Sequence, residues 1–380
     1  MNLLVFCYEF PPIGGGAGRA LFQLSRRWVT AGHEVTVVTT RWDGLLAEEI
    51  VDGIRVIRLK CGRKEKSRGR IIEMLVYMVR SFLEAGCWIK KTQPDLCVAF
   101  MTVPGGLAPL WIKKRFGVHF VTFLRGGDVP GFDPVRLKGY HCMTCKMILH
   151  VWEQSRVVIA NSHGLARLAH DSCPHLNIPV IPNGVEIDSQ SDALRTRAPN
   201  SRLKCLFAGR LADSQKNVSL LLSALAPLEW AELEIIGDGP DRRYLAEMAI
   251  KLGMDHRVFF RGWKSTSELK AHLRLADLYI SASRWEGMPN ACLEAMAEGL
   301  PLVLSRVAGH EDLVEEGRNG FLFDPNVSTT LAVILNRFEK NVDLSLRMGF
   351  ESRRIASERF RWEDSAVRCL EIFEECRNVS

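Results

Sequence analysis

An alternation of two hydrophobic patterns runs through most of the chain and limits the folds that it can adopt. Short apolar runs rich in β-branched residues alternate with longer stretches in which apolar residues recur at helical spacing. Such alternation is typical of strands in a parallel sheet that are connected by helices. In residues 1–180 the predicted strands and helices are Leu3–Cys7, Ala20–Thr30, Glu34–Thr39, Ile71–Lys90, Leu96–Phe100, Leu107–Phe116, His119–Phe123, Val157–Ala160 and Ser162–Ala169.

A second series of the same kind follows the polar stretch from Glu186 to Arg202. The chain has 380 residues, and at about 100–200 residues per domain this length suits two domains. We predict an N-terminal domain of residues 1–188 and a C-terminal domain of residues 189–359. The second series comprises Leu203–Ala208, Val218–Leu225, Leu233–Ile236, Tyr244–Leu252, Val258–Phe260, Glu268–Ala276, Leu278–Ser281, Ala291–Ala297 and Leu302–Leu304.

Both series begin with a strand that runs into a glycine turn, at Gly14–Gly16 and at Gly209. Ligands of open α/β sheets bind beyond the carboxyl ends of the strands, so two such domains facing each other would place both turns at a shared cleft. Glycines in the first turn allow backbone amides to approach an anion at a helix N-terminus. Thr39-Thr40-Arg41 stands where a dinucleotide-binding fold requires an acidic residue, which argues against an NAD enzyme.

Two cations follow the second glycine turn. Arg210 comes directly after Gly209, and Lys216 precedes a predicted helix. Cations in this position can bind a diphosphate leaving group; two solvated side chains at the end of a strand are the alternative explanation.

Two carboxylates, Glu286 and Glu294, lie eight positions apart around the start of a predicted helix. Pro289 suits the first helical position, where a missing N–H costs nothing. Carboxylates placed in this way suit hydrogen bonds to sugar or ribose hydroxyls. Backbone amides at the helix start are also available to a ligand, namely those of Gly287, Met288 and Asn290.

A glycoside hydrolase also uses a carboxylate pair, so this alternative has to be considered. One member of the present pair lies on a helix, and a hydrolase would have no anionic leaving group for Arg210 and Lys216 to bind. For Glu294 alone, a salt bridge to a neighbouring residue is an alternative role, but the pair with Glu286 favours binding of hydroxyls.

In their order and spacing, these motifs resemble those of one enzyme family. The residues that carry the resemblance are Gly14-Gly15-Gly16, Asn161-Ser162, Ile181-Pro182-Asn183-Gly184-Val185, Ala208-Gly209-Arg210 with Lys216-Asn217, Ile236-Gly237-Asp238-Gly239-Pro240, and an E-x7-E element from Glu286 to Glu294. The chain thereby resembles the retaining group-1 glycosyltransferases, which have the GT-B fold. The tail around Phe360-Arg361-Trp362 is similar to the family's final helix, here about residues 360–380, which crosses back to the N-terminal domain.

The resemblance implies an α/β chain of two Rossmann-like parallel-sheet domains facing across a cleft, with the acceptor bound by the N-terminal domain and the donor by the C-terminal domain. It implies that Arg210 and Lys216 bind the nucleotide diphosphate, that Glu294 binds the ribose and that Glu286 binds hydroxyls of the donor sugar. Further donor contacts are expected from Gly15, Gly16, Gly287, Met288, Pro289 and Asn290, with the base near Gly262.

The implied reaction moves a hexose from a UDP- or GDP-linked sugar to an acceptor hydroxyl with retention of configuration. The expected acceptor is a sugar, a lipid-linked glycan or a lipid, in the synthesis of a surface polysaccharide, lipopolysaccharide or glycolipid. No D-x-D triplet occurs, so neither a bridging divalent metal nor another cofactor is expected. Two alternatives remain open: a GT-B sugar-nucleotide epimerase, which would turn over the donor without an acceptor, and a non-catalytic nucleotide-sugar binding module.

One departure from the family lies in the first domain. Members often carry a histidine in a loop close to the reacting sugar, whereas the equivalent loop here is Leu124-Arg125-Gly126-Gly127-Asp128. Arg125 can supply charge to a phosphate, and Asp128 can meet the acceptor hydroxyl and act in catalysis. A salt bridge between the two within the loop is an equally good explanation.

The segment of residues 58–91 holds ten basic and three acidic residues, a local charge of +7 in a chain whose net charge is +6. Its helical apolar pattern could lie on an anionic membrane surface. An ordinary surface helix whose apolar side faces the core explains the pattern equally well. Nucleic acid is not an expected partner, because the basic excess is local. The apolar residues of this pattern are Ile71, Ile72, Leu75, Tyr77, Met78, Phe82 and Leu83.

Eleven cysteines scattered through apolar stretches fit reduced thiols, and no apolar run is long enough to span a bilayer. We therefore expect a cytoplasmic protein that can contact the inner face of the plasma membrane. Cys142 and Cys145, with His141 and His150, lack a second ligand pair at matching distance. Neither they nor the nearby His163, Cys173 and His175 show the spacing of a zinc site, so no metal site is expected.

Overall fold

The computed structural model of the protein describes residues 1–65, 69–188 and 201–378. The chain folds into two compact units. The N-terminal unit contains Met1–Gly184 and the segment that begins at Trp362, and the C-terminal unit contains Val185–Arg361. The N-terminal unit thus ends before the predicted boundary at residue 188. The segment 189–200, in which the second domain was expected to begin, lies outside the described residues.

The N-terminal unit is built on a seven-stranded sheet with the order β3-β4-β2-β1-β5-β6-β7. All neighbouring strands are parallel except the edge pair β3 and β4, which is antiparallel. The strands are β1 (Asn2–Phe6), β2 (Glu34–Thr40), β3 (Glu48–Val51), β4 (Ile54–Leu59), β5 (Leu96–Phe100), β6 (Phe120–Phe123) and β7 (Val158–Ile159).

The predicted series lacks the hairpin formed by β3 and β4. Its turn is Asp52-Gly53, in which both residues have positive φ, 49° and 80°. An Asp-Gly pair of this kind is a strong signal for a tight hairpin turn. The turn residues therefore identify these strands better than their hydrophobic pattern, because β3 alternates between exposed and half-buried residues at the edge of the sheet.

Helices connect most of these strands, and a further helix follows β7. Gly117 ends one of them in the left-handed conformation, with φ 76°, as glycine commonly does at a helix C-terminus. The helices are α1 (Gly16–Thr30), α2 (Ile71–Thr92), α3 (Thr102–Gly105), α4 (Leu107–Phe116), α5 (Lys138–Gln154) and α6 (His163–Ser172).

Helix α2 buries one side and exposes much of its apolar pattern. Tyr77 and Met78 are buried, as a helix that packs on the core requires. The other apolar residues of the pattern are exposed, so the alternative in which the apolar side of the helix faces the core is wrong for them. Lys66 and Arg68 of the basic segment lie outside the described residues. The exposed members of the pattern are Ile71 (65%), Ile72 (74%), Leu75 (52%), Phe82 (40%) and Leu83 (70%).

The C-terminal unit is built on a six-stranded parallel sheet with the order β10-β9-β8-β11-β12-β13. Its strands are β8 (Leu203–Ala208), β9 (Ala231–Ile236), β10 (Val258–Gly262), β11 (Leu278–Ser281), β12 (Leu302–Ser305) and β13 (Gly320–Phe323). Its helices are α7 (Asp213–Lys216), α8 (Val218–Leu225), α9 (Arg242–Lys251), α10 (Thr266–Leu275), α11 (Asn290–Ala297), α12 (Ser328–Lys340) and α13 (Val342–Arg359).

The last helix, α14 (Trp362–Asn378), is part of the N-terminal unit and packs on α1. Trp28 of α1 and Phe373 of α14 are both fully buried, with ring centroids 5.2 Å apart. A Cβ atom at Gly184 would lie 2.3 Å from the backbone nitrogen of Trp362, so the chain can begin this helix here only beside a glycine. No helix of the described residues has the length and apolar character needed to cross a membrane.

Glycines pack the carboxyl ends of β8, β9 and β10 closely together. Gly237 follows β9 with φ 131°, and a Cβ atom there would lie 1.9 Å from the carbonyl oxygen of Gly209. The amide of Gly237 also donates to the carbonyl oxygen of Gly262 at 2.8 Å. The edge of the sheet that carries the predicted donor residues therefore depends on backbone contacts that exclude any side chain.

We expect Gly237→Ala to destabilise the C-terminal unit by at least about 2 kcal/mol more than Gly253→Ala. Gly253 also has positive φ, 69°, but a Cβ atom added there would have no other atom within 4 Å. Alanine there adds only the left-handed backbone cost of roughly 1–2 kcal/mol. Urea unfolding of both variants measures the difference, and equal losses would show that the close contact with Gly209 does not constrain the fold.

Candidate active site

The loops that follow β8 and β11 meet at an ion pair between Lys216 and Glu286. Lys216 is the last residue of α7, and Glu286 lies between β11 and α11. Nζ of Lys216 donates to Oε1 of Glu286, and Oγ of Ser283 donates to the same oxygen at 2.7 Å. Only 7% of Glu286 is exposed. The fold thus brings together two predicted site residues that are far apart in the sequence.

Further hydrogen bonds join the same two loops beside the ion pair. The amide of Arg284 donates to the carbonyl oxygen of Gln215 at 2.8 Å, and Nη2 of Arg284 donates to Oδ1 of Asn217 at 2.7 Å. Asn217 begins α8 in the left-handed conformation, and its Nδ2 donates to the carbonyl oxygen of Pro325 at 3.0 Å. These contacts fix the backbone on both sides of Lys216.

Opposing effects set the pKa of Glu286. Burial alone would raise it, but the positive charge of Lys216, together with hydrogen bonds from Lys216 and Ser283, outweighs burial and holds the pKa below its usual value. Glu286 is therefore a carboxylate at neutral pH, and it can accept hydrogen bonds but not donate them.

His310, which no sequence motif singles out, lies buried near this ion pair. Its Nδ1 is 2.9 Å from the carbonyl oxygen of Ser305, which can only accept, so the neutral ring carries its proton on Nδ1. Nε2 is then an acceptor, and it has no hydrogen-bond partner among the described residues. Burial lowers the pKa of His310 to about 4. A single histidine in a loop gives no sequence pattern that could have indicated this position.

The loop that carries His310 packs directly on the loop that carries Glu286. Gly309 has φ 80°, and a Cβ atom there would lie 2.2 Å from the carbonyl oxygen of Gly287. This contact requires glycine at residue 309 and places a third loop, the one after β12, at the same edge of the sheet.

Helix α11 begins at Asn290, so Pro289 is its N-cap and not its first helical residue. The predicted helix start is therefore wrong by one residue. Met288 is buried before the helix, and Glu294 is buried on it with 5% exposed. The two carboxylates of the E-x7-E element thus lie on either side of the helix N-terminus, as predicted, and Glu294 is not a solvated surface residue.

Arg210 and Gly262 are carried by two further elements of this edge. Arg210 is half-buried in the turn after β8, where its carbonyl oxygen accepts from the amide of Ala212 at 2.9 Å. Gly262 is the last residue of β10 and has φ 71°. The neighbouring Trp263 is 75% exposed, which makes it available for contact with a base. The diphosphate and base roles of Arg210 and Gly262 stay predictions.

In the N-terminal unit, the glycine turn is bound by a carboxylate of the protein itself. Gly15 is the N-cap of α1, and its amide donates to Oε2 of Glu9 at 2.9 Å. Oε1 of Glu9 lies 3.7 Å from Nη2 of Arg63. A donor phosphate could use the amide of Gly15 only by displacing Glu9. The donor contacts predicted for Gly15 and Gly16 stay predictions, and Glu9 is a residue that no sequence motif identifies.

The loop that contains Arg125 and Asp128 is organised around a buried carboxylate. Asp128 accepts from the backbone amides of Thr102, Arg125 and Gly126 at 2.8, 2.9 and 3.1 Å. Its carboxylate is 1% exposed, so in this structure it holds the loop together. Catalysis by Asp128 stays a prediction.

The guanidinium of Arg125 stacks on Phe100, with Cζ 3.9 Å from the ring centroid. Its Nη1 donates to Oδ1 of Asn183 at 2.7 Å, and burial lowers the pKa of Arg125 to about 10. The side chain still carries its charge at neutral pH. Because Asn183, and not Asp128, receives its hydrogen bond, the alternative of a salt bridge within the loop is not what the structure shows.

Cys142 and Cys145 lie on α5 and are exposed and half-buried, respectively. His141 on the same helix lies with Nε2 3.0 Å from the carbonyl oxygen of Gly127. None of the three belongs to a cluster of metal-ligating side chains in the part of the chain that the structure describes.

Two family models match consecutive parts of the chain. Glycosyltransferase Family 4 matches residues 14–189, and Glycosyl transferases group 1 matches residues 190–354. The chain belongs to the group-1 glycosyltransferases. The family resemblance stated from the motifs is confirmed.

Relatives that match most of the chain support this assignment. The chain is 25% identical to a glycosyltransferase of Methanocaldococcus jannaschii, over 98% of each chain. It is 29% identical to the lipopolysaccharide 1,6-galactosyltransferase of Salmonella typhimurium, over 66% of this chain and 67% of that protein.

Solved structures show the fold. Sucrose-phosphate synthase from Thermosynechococcus elongatus superposes with a TM-score of 0.85 at 19% identity, over 100% of this chain and 99% of that one. The Anabaena protein HepE in complex with UDP-glucose superposes with a TM-score of 0.76 at 19% identity, over 98% of this chain and 99% of that one. The glycosyltransferase has the GT-B fold with two Rossmann-like domains, and the predicted fold class is confirmed.

Acid should destabilise the protein through His310. An unfolded histidine binds a proton near pH 6.5, whereas His310 in the folded state does so only at about pH 4, so stability falls as the pH decreases between these values. We expect the wild type to lose about 2 kcal/mol more than His310→Gln between about pH 7 and pH 5, measured by urea unfolding. The exposed His256→Gln variant should follow the wild type. A His310→Gln profile equal to that of the wild type would contradict a neutral, buried His310.

Proposed function

We propose that this glycosyltransferase moves a hexose from a UDP- or GDP-linked sugar to an acceptor hydroxyl with retention of anomeric configuration. The observation that carries the proposal is the contact of Lys216 with the buried carboxylate of Glu286 at the carboxyl edge of the C-terminal sheet. A cation and an ionised carboxylate in contact suit a ligand that has both an anionic leaving group and hydroxyls. A nucleotide sugar has both.

Lys216 and Arg210 stabilise the leaving group. As the bond between the sugar and the diphosphate breaks, negative charge grows on the phosphate oxygen, and fixed cations stabilise that charge in the transition state. An ammonium group has three N–H donors, and Lys216 uses one of them on Glu286. The others can donate to phosphate oxygens. With these cations beside the leaving group, we propose a reaction that needs no metal.

Glu286 orients the donor sugar. Within the described residues, the hydrogen bonds to its carboxylate from Lys216 and Ser283 both use Oε1. Oε2 is the acceptor that remains for a sugar hydroxyl. Because the pKa of Glu286 lies below its usual value, the carboxylate keeps this role throughout the neutral pH range.

Support for the donor class comes from the fold neighbours, since HepE of Anabaena is described in complex with UDP-glucose. Support for the pathway comes from the relatives, which include a lipopolysaccharide galactosyltransferase. We propose a sugar, lipid-linked glycan or lipid as the acceptor, in the synthesis of a surface polysaccharide, lipopolysaccharide or glycolipid at the inner face of the plasma membrane.

Lys216→Ala should lower kcat by about 10²–10³-fold, because it removes a charge that acts most strongly in the transition state. Glu294→Ala should mainly weaken donor binding, by roughly 10–100-fold, because it removes a hydrogen bond to a charged group. Donor binding is measured by calorimetry and turnover by nucleotide release. Lys251→Ala, which removes an exposed lysine from the last turn of α9, is the control and should match the wild type.

Lys216→Arg distinguishes the effect of losing the positive charge from the effect of losing folded protein. Removing Lys216 leaves the buried Glu286 without its partner, so Lys216→Ala can also lose stability. Arginine keeps the charge and should retain more activity than alanine at equal folded fraction. Unchanged donor affinity and turnover in both Lys216→Ala and Glu294→Ala would contradict the proposed site.

The stereochemical course is tested on the product. Proton NMR of the first product formed from an α-linked donor should show an α-linkage, because the proposed reaction retains configuration. A β-linked product would show inversion. Turnover of the donor to another sugar nucleotide without an acceptor would indicate an epimerase in place of a transferase.

We also propose that helix α2 contacts an anionic membrane surface. Its exposed apolar residues follow each other at helical spacing, and two of the most exposed, Ile72 and Leu83, lie near opposite ends of this stripe. Phe82 packs on Trp111 of α4, with ring centroids 5.2 Å apart. Lys114 and Arg115 are exposed at the end of α4 and add basic charge near this contact. An apolar stripe with basic residues beside it suits the interface of an anionic bilayer.

The double variant Ile72→Glu and Leu83→Glu should reduce cosedimentation with phosphatidylglycerol vesicles by more than about tenfold, because it replaces apolar contacts with charges that the anionic surface repels. Ile250→Glu changes an equally exposed isoleucine, 63% exposed, on α9 of the other unit and is the control. Equal binding of the wild type, the double variant and Ile250→Glu would contradict the proposal. So would binding of the wild type to phosphatidylcholine vesicles that equals its binding to phosphatidylglycerol vesicles.

A further inference from the structure

Three side chains with metal-ligating atoms meet in the N-terminal unit. Glu153, Cys173 and His175 each place one such atom within 4.8 Å of the other two. Glu153 lies on the last turn of α5, Cys173 is the C-cap of α6, and His175 follows it by two residues. The sequence spacing predicts no metal here because the third ligand comes from a different helix.

The separation of the thiol and the imidazole in this cluster is close to that of two ligands on a tetrahedral zinc ion. Sγ of Cys173 lies 3.7 Å from Nε2 and 3.8 Å from Nδ1 of His175. Zinc bonds of about 2.3 Å to sulfur and 2.0–2.1 Å to nitrogen place these two ligands about 3.5 Å apart. Cys173 is fixed by burial, whereas Glu153 and His175 are exposed and can rotate their side chains to complete the geometry.

We propose that Glu153, Cys173 and His175 form a zinc site, with water as the fourth ligand. Sulfur and imidazole nitrogen favour zinc over magnesium or calcium, and the carboxylate completes a set of three protein ligands. Binding replaces the thiol proton of Cys173, which is released to solvent, by the metal. The ion links the C-terminal end of α5 to the residues after α6. This site does not depend on the proposed transferase function, because its ligands all lie in the N-terminal unit and none belongs to the donor site.

Cobalt(II) tests the site, because it adopts zinc geometry and gives a sulfur-to-metal charge-transfer band when a thiolate binds it. Titration of the reduced full-length chain should give this band with saturation at one equivalent, and zinc should remove it by competition. Cys173→Ser should abolish the band. Cys142→Ser and Cys145→Ser, which change the other thiols of this region, should keep it.

His175→Ala and Glu153→Gln change exposed ligands, so they test the site without altering the core. Both should weaken cobalt binding at unchanged melting temperature of the metal-free protein, and zinc should raise the melting temperature of the wild type but not of Cys173→Ser. A missing charge-transfer band, a band that persists in Cys173→Ser, or equal cobalt affinity in all three ligand variants would overturn the proposal. In that case the cluster is a thiol and an imidazole in simple contact.

Discussion

The ion pair between Lys216 and Glu286 is the contact on which the organisation of the proposed donor site depends. It joins the loops after β8 and β11, and the charge of Lys216 with the hydrogen bond from Ser283 keeps its carboxylate ionised in spite of burial. A buried pair of this kind is worth little net stability, but the loss of one partner leaves an uncompensated charge. The pair therefore contributes mainly by placing groups. It holds a positive charge and a hydrogen-bond acceptor at fixed positions before a ligand binds.

Backbone contacts keep this arrangement compact. Gly237 touches the carbonyl oxygen of Gly209, and Gly309 touches that of Gly287, in both cases closer than any Cβ atom permits. The loops after β8 and β9, and likewise those after β11 and β12, can approach each other this closely only because these positions have no side chain. The glycines near the motifs thus have a steric role in shaping the edge of the sheet, in addition to any contact with a ligand.

The sequence predicts the elements that have one strong hydrophobic pattern, such as α8 and β11, whose bounds it gives correctly. It misses β3, whose exposed edge pattern is weak, and it cannot show which side of α2 faces the core, because both sides are apolar. The motifs identify Lys216 and Glu286 separately, but only the fold brings them into contact. Glu9 and His310 belong to no motif, so their placement follows from tertiary packing alone.

A calorimetric titration of the full-length protein with UDP and with GDP tests the central claim, that the C-terminal unit binds a nucleoside diphosphate through its own cations. We expect one of the two nucleotides to bind at one equivalent, with the same affinity when a divalent-metal chelator is present, because Arg210 and Lys216 supply the positive charge. Affinity that falls as salt screens these cations would agree with this prediction. Absence of binding by both nucleotides, or binding that requires a divalent metal, would contradict it.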